Sequence, residues 1–265
     1  MNSKYKVLKY RSNNTNEIDD SISIEEPLEI TIKFKNKETW TENTISITMR
    51  TPGNDEDLVR GFLFNERIIE KIEYIDKIES VGENVGQYNL KNKIIATINN
   101  SENIDIDKIK RNFLTNSSCG VCGKTSLDSL EIIKKDKIVK SLPKIDHKII
   151  MKSPTTLREN QSEFSKTGGI HASGLFSDKG NVVAIKEDVG RHNALDKLIG
   201  YVLKKKLLNS SNQFLTCSGR LNFELVQKAL MSNIGVLIGV GAPTSLAIDL
   251  ANKFDMTLVG FVKQD

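Results

Sequence analysis

Residues 214–262 decide the fold class and read FLTCSGRLNFELVQKALMSNIGVLIGVGAPTSLAIDLANKFDMTLVGFV. Short apolar runs predict strands at 214–217, 236–240 and 257–262, and longer runs with helical spacing predict helices at 222–231 and 244–253. Strands and helices that alternate in this way form a parallel sheet with helices packed on its faces. The stretch therefore predicts an α/β fold with a mostly parallel sheet.

The preceding residues supply more elements of the same layer. We expect a hairpin of residues 170–176 and 182–185, a helix at 193–205 and another helix at 154–165. The Gly168–Gly169 pair ends that last helix, because glycine favours helix C-termini. The irregular segment at 141–152 marks a domain boundary.

The N-terminal part of the chain is predicted to be β-rich. Apolar residues alternate with polar ones in two runs, Leu28, Ile30, Ile32 and Phe34 and then Ile45, Ile47 and Met49. Residues 27–50 should therefore form two half-buried antiparallel strands. The Thr51–Asn54 turn and the three acids after it predict the start of a helix, and residues 71–100 return to short strands.

Composition excludes several classes of protein. The 265 residues are 38% hydrophobic and 27% charged, which is typical of a globular chain and not of a disordered one. A net charge of +4 without a basic patch gives no reason to expect nucleic acid as a partner. The most apolar stretch, 234–242, is about half the length of a membrane span, so we expect no membrane association. The absence of an apolar leader and the odd count of 3 cysteines favour the cytoplasm.

Loops that follow the predicted strands are rich in small and basic residues. The candidates for ligand contact are Gly190, Arg191 and His192, then Ser218, Gly219 and Arg220, and then Gly241, Ala242 and Thr244. In parallel sheets, ligands bind beyond the carboxyl ends of the strands, where small residues let a phosphate approach the backbone. Arginine side chains can clamp such an anion with a forked pair of hydrogen bonds. Each of these loops alone is more often a tight turn than a ligand site, but together, at the ends of the strands, they predict an anion pocket.

Cys119-x-x-Cys122 is the sharpest chemical signal in the sequence. Two thiols at this spacing can share a lowered pKa, and the thiolate is the nucleophile. The alternatives are half of a structural zinc site or two buried thiols. No second cysteine pair completes a zinc site, so we expect no bound metal, and Cys217 is expected to be a buried strand residue.

Three motifs typical of other protein classes each lack one required residue in this sequence. His171 lacks the glutamate two residues on that zinc deaminases need, and Ser118 stands where a P-loop has its first glycine. Thr244 stands where a dinucleotide-binding loop has its third glycine. Deamination, ATP hydrolysis and NAD binding are therefore not supported.

Several motifs occur together and in order: residues 117–124 (SSCGVCGK), 167–171 (TGGIH), 187–197 (EDVGRHNALDK), 218–220 (SGR) and 241–247 (GAPTSLA), with supporting blocks at 51–53 and 61–63. On these motifs the chain resembles the FdhD family of formate dehydrogenase accessory sulfurtransferases. The resemblance extends over nearly all of residues 27–262, and the block at 187–197 is the most diagnostic part.

The resemblance implies a sulfur relay. A cysteine desulfurase would hand sulfur to the Cys119–Cys122 motif as a persulfide, with Cys119 as the carrier and Cys122 as the releasing thiol, although these roles could be reversed. The acceptor would be a molybdenum bis(molybdopterin guanine dinucleotide) cofactor, bound as a substrate and destined for the formate dehydrogenase apoprotein. GDP would serve as a fragment of that cofactor.

The resemblance also implies a fold similar to that of cytidine deaminases, without their zinc, and a homodimer. It adds residues of the last strand, Phe261, Val262 and Lys263, to the cofactor contacts. The match there is partial, because members of the family continue into a short basic segment that contains glycine.

The patterns and the resemblance together divide the chain into three parts. We expect an N-terminal extension at 1–26, a β-rich region with one helix and the cysteine motif at 27–145, and an α/β domain that binds the nucleotide or cofactor at 146–265. Two other functions stay open. The protein could be a cofactor-binding chaperone for the apoenzyme with no catalytic thiol, or a dithiol–disulfide oxidoreductase in which both cysteines cycle.

Overall fold

The computed structural model describes residues 1–11, 14–36, 39–99 and 142–263. The strands are β1 (Asn2–Arg11), β2 (Asn14–Ser23), β3 (Glu26–Asn36), β4 (Thr39–Arg50), β5 (Ile75–Val81), β6 (Lys93–Ile98), β7 (His171–Ser177), β8 (Val182–Asp188), β9 (Gln213–Cys217), β10 (Val236–Gly239) and β11 (Thr257–Val259). The α-helices are α1 (Asp55–Asn65), α2 (His147–Glu159), α3 (Ser162–Thr167), α4 (Arg191–Lys204), α5 (Phe223–Met231) and α6 (Ser245–Lys253), and a short 3₁₀ turn spans Ile72–Tyr74.

The C-terminal sheet has five strands in the order β11-β10-β9-β7-β8. The prediction of alternating strands and helices is confirmed, and so is the hairpin, which is formed by β7 and β8. Strands β9, β10 and β11 are parallel, whereas β7 runs antiparallel to both of its neighbours. Strand β8 therefore points the same way as β9, and four of the five strands share one direction. Their carboxyl ends lie at one edge of the sheet, together with the amino end of β7.

Helices cover both faces of this sheet. Leu215 and Leu237 contribute to one buried cluster with residues of α4 and α5, while Phe214 and Val236 contribute to another with Leu157 of α2. Consecutive strand residues point to opposite faces, so a strand buried on both sides reads as a continuous apolar run. This explains the near-continuous apolar runs of β9 and β10.

The second large sheet has the order β4-β3-β6-β5, and α1 packs against it. Alternation in β3 is confirmed, since its four apolar residues are all buried. Strand β4 differs from its prediction, because Ile45 is buried but Ile47 and Met49 are exposed. The pairing register shifts at this point, from Ile30 opposite Ser46 to Thr31 opposite Thr44. Ile45 is thus the extra residue of a bulge, and a bulge reverses which face the following residues occupy.

Helix α2 begins earlier than predicted. It starts at His147, inside the segment expected to be irregular, and Pro154 lies within the helix instead of opening it. Proline has no N–H to donate to the carbonyl four residues earlier. The Oγ atom of Ser153 donates to that carbonyl, on Ile150, at 2.9 Å. The single helix expected at 154–165 is instead two helices, α2 and α3. Gly168, at φ 68°, ends α3 as predicted.

The two large sheets are joined through the crossing of α1 and α4. A Cβ atom on Gly61 would overlap the carbonyl oxygen of Asp196, and one on Gly200 would overlap the carbonyl oxygen of Asp57. The helix backbones are therefore in direct contact. The N-terminal residues, for which the sequence predicted no strands, form the β1–β2 hairpin, and Ser23 of this hairpin hydrogen-bonds Thr167 of α3.

Candidate functional site

The loops predicted to bind a ligand all lie at the edge of the C-terminal sheet where four strands end. Gly190, Arg191 and His192 form the start of α4 after β8, Ser218, Gly219 and Arg220 follow β9, Gly241, Ala242 and Thr244 follow β10, and Phe261, Val262 and Lys263 follow β11. Cys119 and Cys122 lie outside the described residues.

Backbone hydrogen bonds tie three of these loops into one wall. The N–H of Gly241 donates to the carbonyl of Gly219 at 3.2 Å, and the N–H of Phe261 donates to the carbonyl of Gly241, also at 3.2 Å. A Cβ atom on Gly241 would lie 2.8 Å from the Cα of Arg220, so no larger residue fits there without a shift. Gly241 therefore has a packing role that the sequence could not distinguish from ligand contact.

A cavity of about 550 Å³ opens at this edge, between the strand ends and helices α2 and α3. Three of the predicted residues, Ser218, Val262 and Lys263, line it. The other lining residues are Pro154, Thr155, Leu157, Arg158, Gln161, Phe164, Gly168, Gly169, Ile170, His171, Val189 and Val240. Its volume lies within the range of small-molecule sites.

The charge of the cavity wall has one sign. Arg158 and Lys263 are cationic, and no residue in the described lining is acidic. The guanidinium carbon of Arg158 lies 3.4 Å from the ring centroid of Phe164, which makes a stacked pair on the wall formed by α2 and α3. The cavity thus combines apolar surface with positive charge, a combination that suits a planar anionic ligand.

Helix α3 is held in place by a carboxylate from the sheet. Glu187 of β8 accepts hydrogen bonds from the backbone N–H groups of Glu163, at 3.0 Å, and Phe164, at 2.9 Å. These N–H groups belong to the first turn of the helix, where they have no partner within the helix itself. Glu187 therefore positions the aromatic wall of the cavity and does not face the ligand space.

His171 stands at the amino end of β7 and lines the cavity. Its Nδ1 atom lies 3.3 Å from the Oγ of Ser218, which itself accepts a hydrogen bond from the N–H of Ala172 at 2.9 Å. Burial lowers the pKa of His171, and the positive charge of Arg191 lowers it further, while Asp188 acts in the opposite direction. Both of the larger effects favour the neutral form of the imidazole.

His192 is neutral for a different set of reasons. His192 Nε2 lies 2.9 Å from Nδ2 of Asn222 and 3.4 Å from Oε2 of Glu224, while Asn222 Oδ1 accepts a hydrogen bond from the N–H of Leu225. Burial, together with the charges of Arg191 and Lys228, lowers the pKa of His192 to about 3. This side chain is absent from the cavity lining, and its partners are those of a structural residue.

Other residues of the diagnostic block at 187–197 join the two sheets. Asp188 and Lys197 form a buried ion pair, and the Nζ of Lys197 also donates to the carbonyl of Thr51 at 2.7 Å. Asn193 donates to the carbonyl of Met49 in β4 at 2.8 Å. The motif therefore holds the N-terminal sheet against α4, a role that the sequence analysis did not assign.

The wall formed by α2 and α3 was not among the predicted ligand contacts. Arg158, Gln161 and Phe164 come from helices whose sequence resembles an ordinary surface pattern. The sequence motifs marked only residues next to this wall, because Gly168, Gly169 and His171 belong to the motif at 167–171.

The thiol of Cys217 behaves as predicted. It is fully buried in β9, and burial raises its pKa to about 11. Within the described ranges no cluster of His, Cys, Asp and Glu is suited to a metal ion. In the same part of the chain, none of the helices has the length and apolarity needed to cross a membrane.

Comparisons with known proteins agree on one family. The sequence pattern of the FdhD/NarQ family matches residues 24–265. The chain is 43% identical to the sulfur carrier protein FdhD of Picrophilus torridus over 249 residues, which cover 94% of this chain and 88% of that protein. It is 38% identical to the protein of the same name from Sulfurisphaera tokodaii over 260 residues, covering 98% and 93%.

A solved structure has the same fold. The crystal structure of a Desulfotalea psychrophila protein, whose proposed role is that of a formate dehydrogenase accessory protein, matches with a TM-score of 0.70 at 24% identity, covering 98% of this chain and 92% of that one. The family pattern and the sequence matches over almost the full length show that the chain belongs to the FdhD/NarQ family.

Proposed function

We propose that the protein is a sulfur carrier that serves formate dehydrogenase. In this account a cysteine desulfurase loads sulfur onto Cys119 as a persulfide, and the sulfur passes to the molybdenum bis(molybdopterin guanine dinucleotide) cofactor before the apoenzyme receives it. Relatives that are about 40% identical bear the name sulfur carrier protein. The Cys119–Cys122 pair supplies the thiols that such a carrier needs.

Two thiols explain how the sulfur leaves. The outer sulfur of a persulfide must gain two electrons to become sulfide. When the thiolate of Cys122 attacks the inner sulfur, on Cys119, the bond between the two persulfide sulfurs breaks and HS⁻ departs. The two cysteines supply those two electrons as they are oxidised to the Cys119–Cys122 disulfide. The bound cofactor accepts the sulfide, and a cellular dithiol then reduces the disulfide for the next cycle.

The observation that carries the substrate assignment is the charge of the cavity. Two cationic side chains, Arg158 and Lys263, and no described acidic one surround a space with apolar and aromatic walls. The cofactor ends in guanine nucleotides, which carry a planar base and a diphosphate. Such a group matches both features, because cations bind phosphate and flat apolar walls pack on the base.

Titration with GDP tests this assignment. Arg158→Gln and Lys263→Gln should each weaken GDP binding by about tenfold or more, since a hydrogen bond to a charged group contributes about 1.5–3 kcal/mol. Lys179→Gln is the matched control, because this exposed lysine lies in the turn after β7, at the opposite end of the strand from His171. Equal affinities of wild type and the three variants for GDP would show that the nucleotide does not bind in this cavity.

The thiol chemistry needs its own test. A protein with both Cys119→Ala and Cys122→Ala should bind GDP normally but fail to activate formate dehydrogenase. Full activation by this variant would favour a chaperone that only carries the cofactor. The homodimer and the likeness to cytidine deaminases stay predictions of the family resemblance, and the cytoplasmic location stays a prediction from the N-terminal residues and the cysteine count.

A further inference from the structure

Helix α3 forms part of the cavity wall without contributing a buried side chain. It is six residues long, and none of these six, all of them described, is buried. A helix of this length is not stable by itself in water, so other parts of the chain must hold it. After it come Gly168 and Gly169, and a Cβ atom added to either would have no neighbour closer than 3.8 Å beyond the adjoining residues. Few buried contacts therefore oppose a displacement of α3.

The β1–β2 hairpin holds α3 along one side. The Nδ2 atom of Asn2 donates to Oε2 of Glu163 at 2.9 Å, and the Oγ of Ser23 donates to Oγ1 of Thr167 at 2.7 Å. Glu163 and Thr167 are four residues apart, so they lie on the same side of the helix. Neither is among the described lining residues of the cavity. We call these four residues the latch.

The carboxylate of Glu163 is the charged member of the latch. Its Oε2 atom also lies 2.9 Å from the amino group of Met1. Burial raises the pKa of Glu163, but hydrogen bonds from Asn2, from Met1 and from Lys166 lower it more, to about 2. Hydrogen bonds to an ionised carboxylate are stronger than those between neutral groups. The latch is therefore fully formed at neutral pH.

The hairpin is itself attached to the N-terminal part of the chain. The hydroxyl of Tyr5 lies 2.7 Å from the hydroxyl of Tyr88 and accepts a hydrogen bond from Nε2 of Gln87 at 3.1 Å. Both partners lie in the segment between β5 and β6. At the base of the hairpin, the N–H of Ile24 donates to the carbonyl of Met1 at 3.2 Å. The hairpin thus connects the β5–β6 segment with the cavity wall.

On its other side, α3 is fixed at one end. Glu187 of β8 binds the backbone N–H groups of the first turn, and the ring of Phe164 stacks on Arg158. The contact with Glu187 acts on the start of the helix, whereas the latch extends to its last residue, Thr167. If the latch opened, the last turn of α3 would keep its covalent connection through two glycines but would lose its contact with the hairpin. The helix could then turn about its first residues.

We propose that α3 is a movable wall of the cavity, that the latch holds it closed, and that the nucleotide ligand enters and leaves when the latch opens. This inference rests on the proposed nucleotide-binding function and adds the way in which that site is opened and closed. Asn2, Ser23, Glu163 and Thr167 are positioning residues, because they act on the ligand only through the place of α3. Glu187 serves as the pivot.

Hydrogen exchange followed by mass spectrometry tests the latch without any ligand. The hairpin variant, Asn2→Ala with Ser23→Ala, leaves the sequence of α3 unchanged, so a peptide covering residues 161–169 can be compared directly with wild type. Its amides should exchange about fivefold faster or more, because loss of one net hydrogen bond shifts an opening equilibrium by about that factor and a detached helix this short does not stay folded.

A second hairpin variant is the matched control. Thr15→Ala with Asn16→Ala also removes one hydroxyl and one amide from the hairpin, but at the opposite end of β2 from Ser23, where both side chains are exposed. Exchange of residues 161–169 in this protein should equal that of wild type. Melting curves of all variants show that each is folded.

Ligand kinetics test the movement of the wall. GDP with a methylanthraniloyl fluorophore on its ribose is mixed with each full-length protein in a stopped-flow instrument. In the hairpin variant, the association and dissociation rate constants should both rise about fivefold or more, while the affinity changes much less, because the same opening step precedes entry and exit. A wall that is only loosened would release the ligand faster and bind it more weakly, without faster association.

Glu163→Ala approaches the latch from the helix side. This variant should accelerate association and dissociation as the hairpin variant does. Its control is Lys166→Ala, which removes the pair between Lys166 and Glu163 within α3, at 3.2 Å, and leaves the contacts with the hairpin in place. Rates in Lys166→Ala should stay close to those of wild type.

Two results would overturn the proposal: unchanged exchange of residues 161–169 in the hairpin variant, or association that is no faster in either folded latch variant. If wild type did not bind the fluorescent GDP, the proposed nucleotide function and the entry route would fall together. The exchange experiment would then still show whether the hairpin holds α3. None of these results would affect the loading of sulfur onto Cys119.

Discussion

The Nζ atom of Lys197 lies 2.7 Å from the Oδ2 atom of Asp188, and both side chains are buried. The same carboxylate accepts the N–H of Thr51 at 3.1 Å, and the same ammonium donates to the carbonyl of Thr51. One ion pair therefore binds both backbone polar groups of Thr51, the residue that follows β4 of the N-terminal sheet. This places the first and tenth residues of the Asp188–Lys197 motif in a structural role.

Removal of one partner of this pair should be strongly destabilising. Lys197→Met leaves Asp188 buried without its cation, which costs about 3–5 kcal/mol. The free energy of unfolding from urea titration measures the effect. In the double variant with Asp188→Asn much of the loss should be recovered, since no buried charge is then left unpaired.

Lys204→Met is the control for that experiment. Lys204 pairs with Glu56 at 3.4 Å on the surface, so its loss should cost less than about 1 kcal/mol. A Lys197→Met protein as stable as Lys204→Met would contradict the role assigned to the buried pair.

The crossing of α1 and α4 should not tolerate a methyl group. Gly200→Ala would bring Cβ into the carbonyl of Asp57, and overpacking of this kind costs about 1–3 kcal/mol or more because backbone, not a flexible side chain, must move. Thermal melting measures the loss. Gly169→Ala is the control, since its nearest neighbour to an added Cβ is 3.8 Å away, and a similar loss in both variants would count against the close crossing.

Cys217 should resist alkylation in the folded protein. Its thiol is enclosed in β9 and has a pKa of about 11, so almost no thiolate exists at pH 7. Peptide mass spectrometry after treatment with iodoacetamide should find Cys217 unmodified until denaturant is added. Rapid labelling without denaturant would show that this strand is not enclosed as described.

His192 should make stability depend on pH. Its pKa is about 3 in the folded protein and 6.5 in the unfolded chain, so the unfolded state binds more protons between these values. Stability from this group is thus fully present above pH 6.5 and is lost as the pH falls, by at most about 1.4 kcal/mol per pH unit. Wild type should therefore lose stability relative to His192→Gln between pH 7 and pH 5.

The comparison with a variant is needed because Asp196 acts in the opposite direction. Burial raises the pKa of Asp196 to about 6, so its contribution favours the folded state as the pH falls through the same range. Urea titrations of both proteins at the two pH values give the difference. A difference that does not change with pH would mean that His192 is not held neutral.

The sequence predicted the C-terminal layer well because its signals are local. Strands β9 and β10 are short, mostly apolar runs, and the helix between them keeps helical spacing. The exposure of Ile47 could not be predicted, because it depends on a bulge at Ile45 that only the pairing with β3 defines. Helix α2 starts before Pro154, which has no N–H to donate to the carbonyl of Ile150. The hydroxyl of Ser153 donates to that carbonyl instead, and helix propensity does not reveal such a contact.

The candidate site was predicted only in part, for a related reason. The loops after the strands were found because Gly and Arg mark them, yet Gly241 proves to be a packing residue and His192 is held by Asn222. Phe164 lines the cavity because Glu187 of β8 anchors α3, and Arg158 of α2 stacks on the Phe164 ring. Contacts of this kind arise from tertiary structure and leave no periodic signal.

The most direct test of the sulfur-carrier account is peptide mass spectrometry after incubation with a cysteine desulfurase and cysteine. The account predicts one added sulfur on the peptide that contains residues 119–124, removable by reductant and absent from Cys119→Ala. In Cys122→Ala the added sulfur should accumulate, because the releasing thiol is missing. Cys217 serves as the internal control and should carry none. An unmodified motif in the presence of an active desulfurase would contradict the account.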